Sequence, residues 1–174
     1  MSPILVPDAG PLITLAYAGG LALLLRPDWP VHIVDMVRVE VTRNPTPTSE
    51  AIAAFIDQQR LTIVTTEIGQ RYQQHLADPS VSHDPPLRKA GLGELAIQEY
   101  MLRLGLEERP TPAVFLFEDH KIARRSFYVP DHVRRISTRA FLLFLQEKGL
   151  INSAANVERD AIQNGRHFSQ MRFP

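Results

Sequence analysis

Two apolar runs restrict what this chain can become. Ile4-Leu5-Val6 and Ala113-Val114-Phe115-Leu116-Phe117 contain no polar residue at alternate positions. A strand with one wet face alternates. One without alternation is covered on both faces, as in a parallel sheet buried under helices. Each run stops at an acid, Asp8 in the first case and Glu118-Asp119 in the second. Behind the first acid, Pro11 suits the opening turn of a helix, where its missing N–H is not needed. Behind the second, His120 to Arg125 reads as a short helical segment. Ligands of open α/β sheets bind outside the carboxyl ends of the strands, so these acids stand where chemistry is usually found. A plain helix cap is the competing role for Asp8.

The rest of the chain alternates in the same way. Leu12 to Leu25 predicts a first helix, with a break at Gly19-Gly20. Val31 to Val34 predicts a second strand, and Asp35 a cap for a helix over Met36 to Arg43. Glu50 to Arg60 is helical, Leu61 to Thr65 a third strand, and Glu67 to Leu76 a polar helix. The proline-rich stretch Asp78 to Pro86 is a loop, and Leu87 to Leu104 a helix. Val133 to Ile136 makes a fifth strand, Ala140 to Gln146 a helix closed by Gly149, and Ser153 to Gln163 a last helix. From Arg166 the chain reads as a tail. The expectation is α/β, with a central, mostly parallel sheet of about five strands between helices. The 174 residues and 44% hydrophobic content suit one core. Residues 1–149 form the main unit, and residues 150–174 add a helix and tail to the same domain.

Two glutamates complement the strand-end acids. Val37, Glu40 and Val41 share one helical face, so Glu40 turns inward if the valines do. A surface pair with Arg38 or Arg43 is the alternative. Glu94 lies in Gly91-Leu92-Gly93-Glu94-Leu95-Ala96, which matches a dinucleotide fingerprint by letter. Pro85 to Lys89 is no strand, so the fingerprint lacks its context. The glycines leave room beside Glu94 instead, against the alternative of a solvated position. Asp8, Glu40, Glu94 and Asp119 thus make a candidate set. Four carboxylates in one pocket repel unless a cation offsets them. Oxygen-only ligation selects a hard ion, Mg²⁺ or Mn²⁺. Such ions activate water and stabilise the leaving oxygen in phosphodiester hydrolysis.

The bulk numbers exclude other classes. Lys plus Arg and Asp plus Glu are 19 each, so net charge predicts neither a nucleic-acid nor a membrane partner. The charge is locally uneven: Lys121, Arg124, Arg125, Arg134, Arg135 and Arg139 face one acid, Asp131, across His120 to Arg139. That is either a track for a nucleic-acid backbone or a solvated face. No cysteine is present, which removes disulfides and thiolate sites, and no pair of the six histidines has zinc spacing. No signal peptide or spanning segment is legible, so a cytoplasmic protein away from membranes is expected.

Together these motifs resemble the PIN domain, a metal-dependent nuclease fold, and within it the VapC-like toxins of toxin–antitoxin pairs. The likeness rests on Val6-Pro7-Asp8-Ala9-Gly10-Pro11-Leu12-Ile13, Val37-Arg38-Val39-Glu40-Val41, Gly91-Leu92-Gly93-Glu94-Leu95-Ala96, Phe115-Leu116-Phe117-Glu118-Asp119 with Ala123-Arg124, and Ile136-Ser137-Thr138. The resemblance implies a three-layer α/β/α fold and an endoribonuclease dependent on Mg²⁺ or Mn²⁺. Asp8, Glu40, Glu94 and Asp119 would hold the ion, with Glu118 the alternative to Asp119. Ser137 or Thr138 would steady the pocket or cap a helix, and Lys121, Arg124 and Arg125 would meet RNA phosphates. A small antitoxin and a second copy of the chain are the implied partners. The chain departs from the pattern at Gly10, where relatives often carry Ser or Thr, at Phe117, where many carry Thr, and in the long loop from Asp78. A DNA nuclease of this fold and a non-cutting binding module are the rivals. A receiver-like phosphoacceptor built on Asp8 would need a lysine after the last strand, where Val133 to Thr138 has only arginines.

Overall fold

A computed structural model describes residues 2–78, 80, 91–118 and 130–167. Five strands lie in this part: β1 (Ile4–Pro7), β2 (His32–Val34), β3 (Thr62–Val64), β4 (Ala113–Phe117) and β5 (Val133–Ser137). The described helices are α1 (Ala9–Tyr17), α2 (Asp35–Thr42), α3 (Pro47–Gln58), α4 (Glu67–Ala77), α5 (Leu92–Gly105), α6 (Thr138–Glu147) and α7 (Ala154–Gln163), with a 3-10 turn at Leu21–Leu25. The class is α/β, in three layers. Every described strand pairing is parallel. All five residues of β4 are buried, as a strand covered on both faces must be.

The strands do not form one continuous sheet. They divide into β1-β4-β5 and β2-β3, joined by a single bridge between Leu5 and Val31. At the bridge Leu5 N–H donates to the Pro30 carbonyl at 2.8 Å. Across the bridge the order still runs β3-β2-β1-β4-β5. The chain moves outward from β1 to β3, then returns to the other side of β1 as β4. The reversal puts the switch point between β1 and β4, where open parallel sheets bind ligands.

The first helix is shorter than its sequence suggests. Gly19 takes φ +63°, and its N–H and that of Gly20 bond back to Ala16 and Leu15 at 3.0 and 2.8 Å. This closing motif stops α1, and the apolar Leu21–Leu25 continues as a 3-10 turn. The other helix readings hold to within a few residues at each end. The expected helix over His120 to Arg125 lies outside the described residues, as do Leu87 to Ala90.

Asp35 is the first residue of α2 rather than its cap, a position Val34 takes, and its side chain has another task. Its carboxylate accepts from Met36 N–H at 2.7 Å and from Thr66 N–H and Oγ1, both at 2.8 Å, locking the end of β2 to the end of β3. Gly69 is glycine for this reason: a Cβ there would lie 2.0 Å from the Asp35 Oδ2. Glu99 of α5 accepts from Glu67 and Ile68 N–H at 2.7 and 3.1 Å, capping the start of α4 from outside.

His32 opens β2, half-buried, with Nδ1 against the Tyr100 hydroxyl. Burial holds its pKa below the ordinary imidazole value. As pH falls, the unfolded chain therefore takes up the proton first, and stability declines below about pH 6.5. Urea melts of wild type and His32→Gln should show the stability gap narrowing between pH 7.5 and 5. A constant gap would remove His32 as a titrating contributor.

Candidate acidic site

The site grows from the β1–α1 junction. Asp8 follows the last residue of β1 and is 2% exposed. Its N–H donates to the Leu116 carbonyl of β4 at 2.9 Å, and its Oδ1 accepts from Ala9 N–H at 2.8 Å. Asp8 is thus a helix cap and also an acid at the switch point. The two roles do not compete, because a cap uses one oxygen.

Glu118 enters from the neighbouring strand. It follows β4 directly, is 4% exposed, and accepts at Oε1 from Thr14 Oγ1 of α1 at 2.8 Å and Thr138 Oγ1 of α6 at 2.9 Å. A buried carboxylate is costly unless hydrogen bonds compensate it, and two hydroxyls from two helices do so here. The side chain crosses α1 at Gly10, where a Cβ would come within 2.3 Å of the Glu118 Cγ. This contact explains why position 10 is glycine. The space a Ser or Thr would fill is taken by Glu118, and Thr14, one helical turn on, supplies a hydroxyl. Of the pair left open by the sequence, Glu118 points inward, while Asp119 lies outside the described residues.

Ser137 and Thr138 have different tasks. Ser137 caps α6 by accepting from Ala140 N–H at 3.1 Å, and Thr138 is buried and binds Glu118. Thr14 was missed by sequence reasoning, as was Arg166, whose Nε donates to Thr14 Oγ1 at 2.9 Å. A buried Thr14 amid Leu12, Ile13 and Leu15 is the one available signal, since a lone hydroxyl on an apolar helix needs a partner.

The two glutamates lie on α2 and α5. Val37 and Val41 are buried, yet Glu40 between them is exposed, so sharing their face does not turn it inward as expected. Its carboxylate rests over α5, and a Cβ at Gly93 would come within 2.9 Å of Oε2. The Gly93 space therefore serves Glu40, not Glu94 as expected. Gly91 starts α5 with φ +81°, a conformation that favours glycine, and Glu94 is half-buried in the first turn. Among the described residues no group of three or more His, Asp or Glu side chains gathers closely enough to hold a metal ion. The described acids are thus Asp8 and Glu118, buried at the ends of β1 and β4, and Glu40 and Glu94 on α2 and α5.

Of the basic stretch, Lys121, Arg124 and Arg125 lie outside the described residues, as do Phe127 and Tyr128. Arg134 and Arg135 are exposed on β5, which has one described neighbour, so they protect a sheet edge from further pairing. Arg139 pairs with Glu158 of α7 at 3.9 Å. No described helix is long and apolar enough to cross a membrane. No family model, curated protein or solved structure matches the chain.

Proposed function

We propose that this protein is a PIN-like endoribonuclease, the toxin of a toxin–antitoxin pair, acting with Mg²⁺ or Mn²⁺. The observation that carries the reading is the pair of buried carboxylates, Asp8 and Glu118, at the carboxyl ends of adjacent parallel strands beside the switch point. The donor chemistry fits a hard ion, because the groups are oxygens alone. Asp8, Glu40 and Glu94, with Glu118 or Asp119, are the residues that would hold it. A hard ion held there would supply an activated water and offset the charge on the leaving oxygen. Asp8 Oδ1 holds the cap of α1. Thr14 and Thr138 hold the Glu118 carboxylate in one orientation. Lys121, Arg124 and Arg125 are assigned to phosphates. The partners on this reading are RNA, a small antitoxin and a second copy of the chain.

The test is cleavage of a mixed RNA pool and a matched single-stranded DNA by the purified protein, with Mn²⁺ and with EDTA. RNA cutting that EDTA stops is the expected result, and DNA cutting alone would replace the ribonuclease by a DNA nuclease of the same fold. A second reading has one observation in its favour: the described acids do not converge as a threesome. It is a PIN-like module that binds RNA without cutting. RNA bound and intact in every lane would establish that module and end the nuclease reading.

A further inference from the structure

The acidic crevice has a cation of its own. Helix α7 ends in the same closing motif as α1: Gly165 takes φ +100°, its N–H bonds to Ile162 at 3.0 Å, and Arg166 N–H bonds to Ala161 at 2.9 Å. Asn164 Nδ2 adds a bond to the Tyr17 carbonyl at 2.8 Å. Arg166 is therefore delivered to α1 by a fixed helix end. Its side chain is half-buried, and Nε donates to Thr14 Oγ1 at 2.9 Å, while the same hydroxyl donates to Glu118 Oε1 at 2.8 Å. One hydroxyl relays a guanidinium to a carboxylate that is almost completely buried.

We infer that Arg166 is the resident counter-charge of Glu118, a positioning residue that stabilises this buried carboxylate when no metal is bound and opposes the entry of a divalent ion. The inference rests on the metal-dependent reading above. The physical argument is short. An opposite charge within about 4–6 Å favours an ionised carboxylate, and the relay holds the guanidinium two hydrogen bonds away. A guanidinium is always charged, so it cannot leave the site by losing a proton. The same charge repels Mg²⁺ or Mn²⁺, and the two cations are thereby linked with opposite sign. Removing Arg166 should weaken the metal-free protein and tighten metal binding.

The experiment measures Tm in EDTA and in saturating Mn²⁺, and the Mn²⁺ Kd by calorimetry, for the full chain, Arg166→Met and Arg166→Lys. Expected are a lower Tm in EDTA for Arg166→Met, a larger rise on adding Mn²⁺, and a Kd tighter by about fivefold or more. Arg166→Lys, which keeps the charge, should stay near wild type. An equal Mn²⁺-induced rise in wild type and Arg166→Met would overturn the inference and leave the metal site standing. A lysine variant that behaves like the methionine variant would overturn it too, since packing rather than charge would be the cause. No effect of Mn²⁺ on the wild-type Tm or heat of binding would end the metal-dependent reading, and the inference with it.

Discussion

Asp8→Asn is expected to lower metal-dependent RNA cleavage on the order of 10³-fold with little loss of stability. The substitution separates the two roles of this residue. Asparagine keeps an oxygen for the Ala9 N–H, and Asn caps helices about as well as Asp. What it removes is the negative charge, in a position 2% exposed at the end of β1. Asp8→Ala loses the cap as well and should cost about 1 kcal/mol more. Single-turnover cleavage and thermal melts of the two variants give the comparison. Full cleavage by Asp8→Asn would reduce Asp8 to a cap and remove the centre of the proposed site.

What was legible in the sequence was whatever depends on neighbours along the chain. The apolar runs at β1 and β4 predicted buried parallel strands because burial on both faces leaves no other pattern. That same completeness hid the direction of the acids after β4. With all five residues buried, no alternation tells whether Glu118 or Asp119 turns inward. The end of α1 was marked by Gly19-Gly20, yet the apolar residues beyond it suggested a longer helix, since the left-handed φ of Gly19 is a geometric fact and not a compositional one. The division into two sheets, joined by the bridge between Leu5 and Val31, is a matter of pairing between distant segments that no local run of residues displays. Arg166 was illegible because its partner, Thr14, is 152 positions away. Gly93 shows the same limit: the glycine predicted space, but not that Glu40 from another helix fills it. The chemistry of the site was readable as residue types, and its packing was not.

Gly10 makes this difference measurable. It lies in the first turn of α1 with no left-handed φ, so helix propensity alone predicts that Gly10→Ala or Gly10→Ser stabilises, by up to about 1 kcal/mol. The contact predicts the opposite. A Cβ would sit 2.3 Å from the Glu118 Cγ and 3.2 Å from its Cβ, and the carboxylate beyond is pinned by Thr14 and Thr138. Neither side can yield without leaving a buried carboxylate or two hydroxyls unpaired, and overpacking of this kind costs about 1–3 kcal/mol, enough to reverse the sign. Gly10→Ser should therefore lower Tm by roughly 2–10 °C in a chain of this length. In a Glu118→Ala background the obstruction is gone, and the new hydroxyl stands where Thr14 and Thr138 have lost an acceptor. There Gly10→Ser should be neutral or stabilising, giving a coupling of about 2 kcal/mol in a urea-denaturation cycle. Additive effects would mean that Gly10 and Glu118 do not share this space. A large coupling would show that the glycine and the inward glutamate are two halves of one packing solution, in which the space beside the first turn of α1 is filled by a carboxylate from the end of β4.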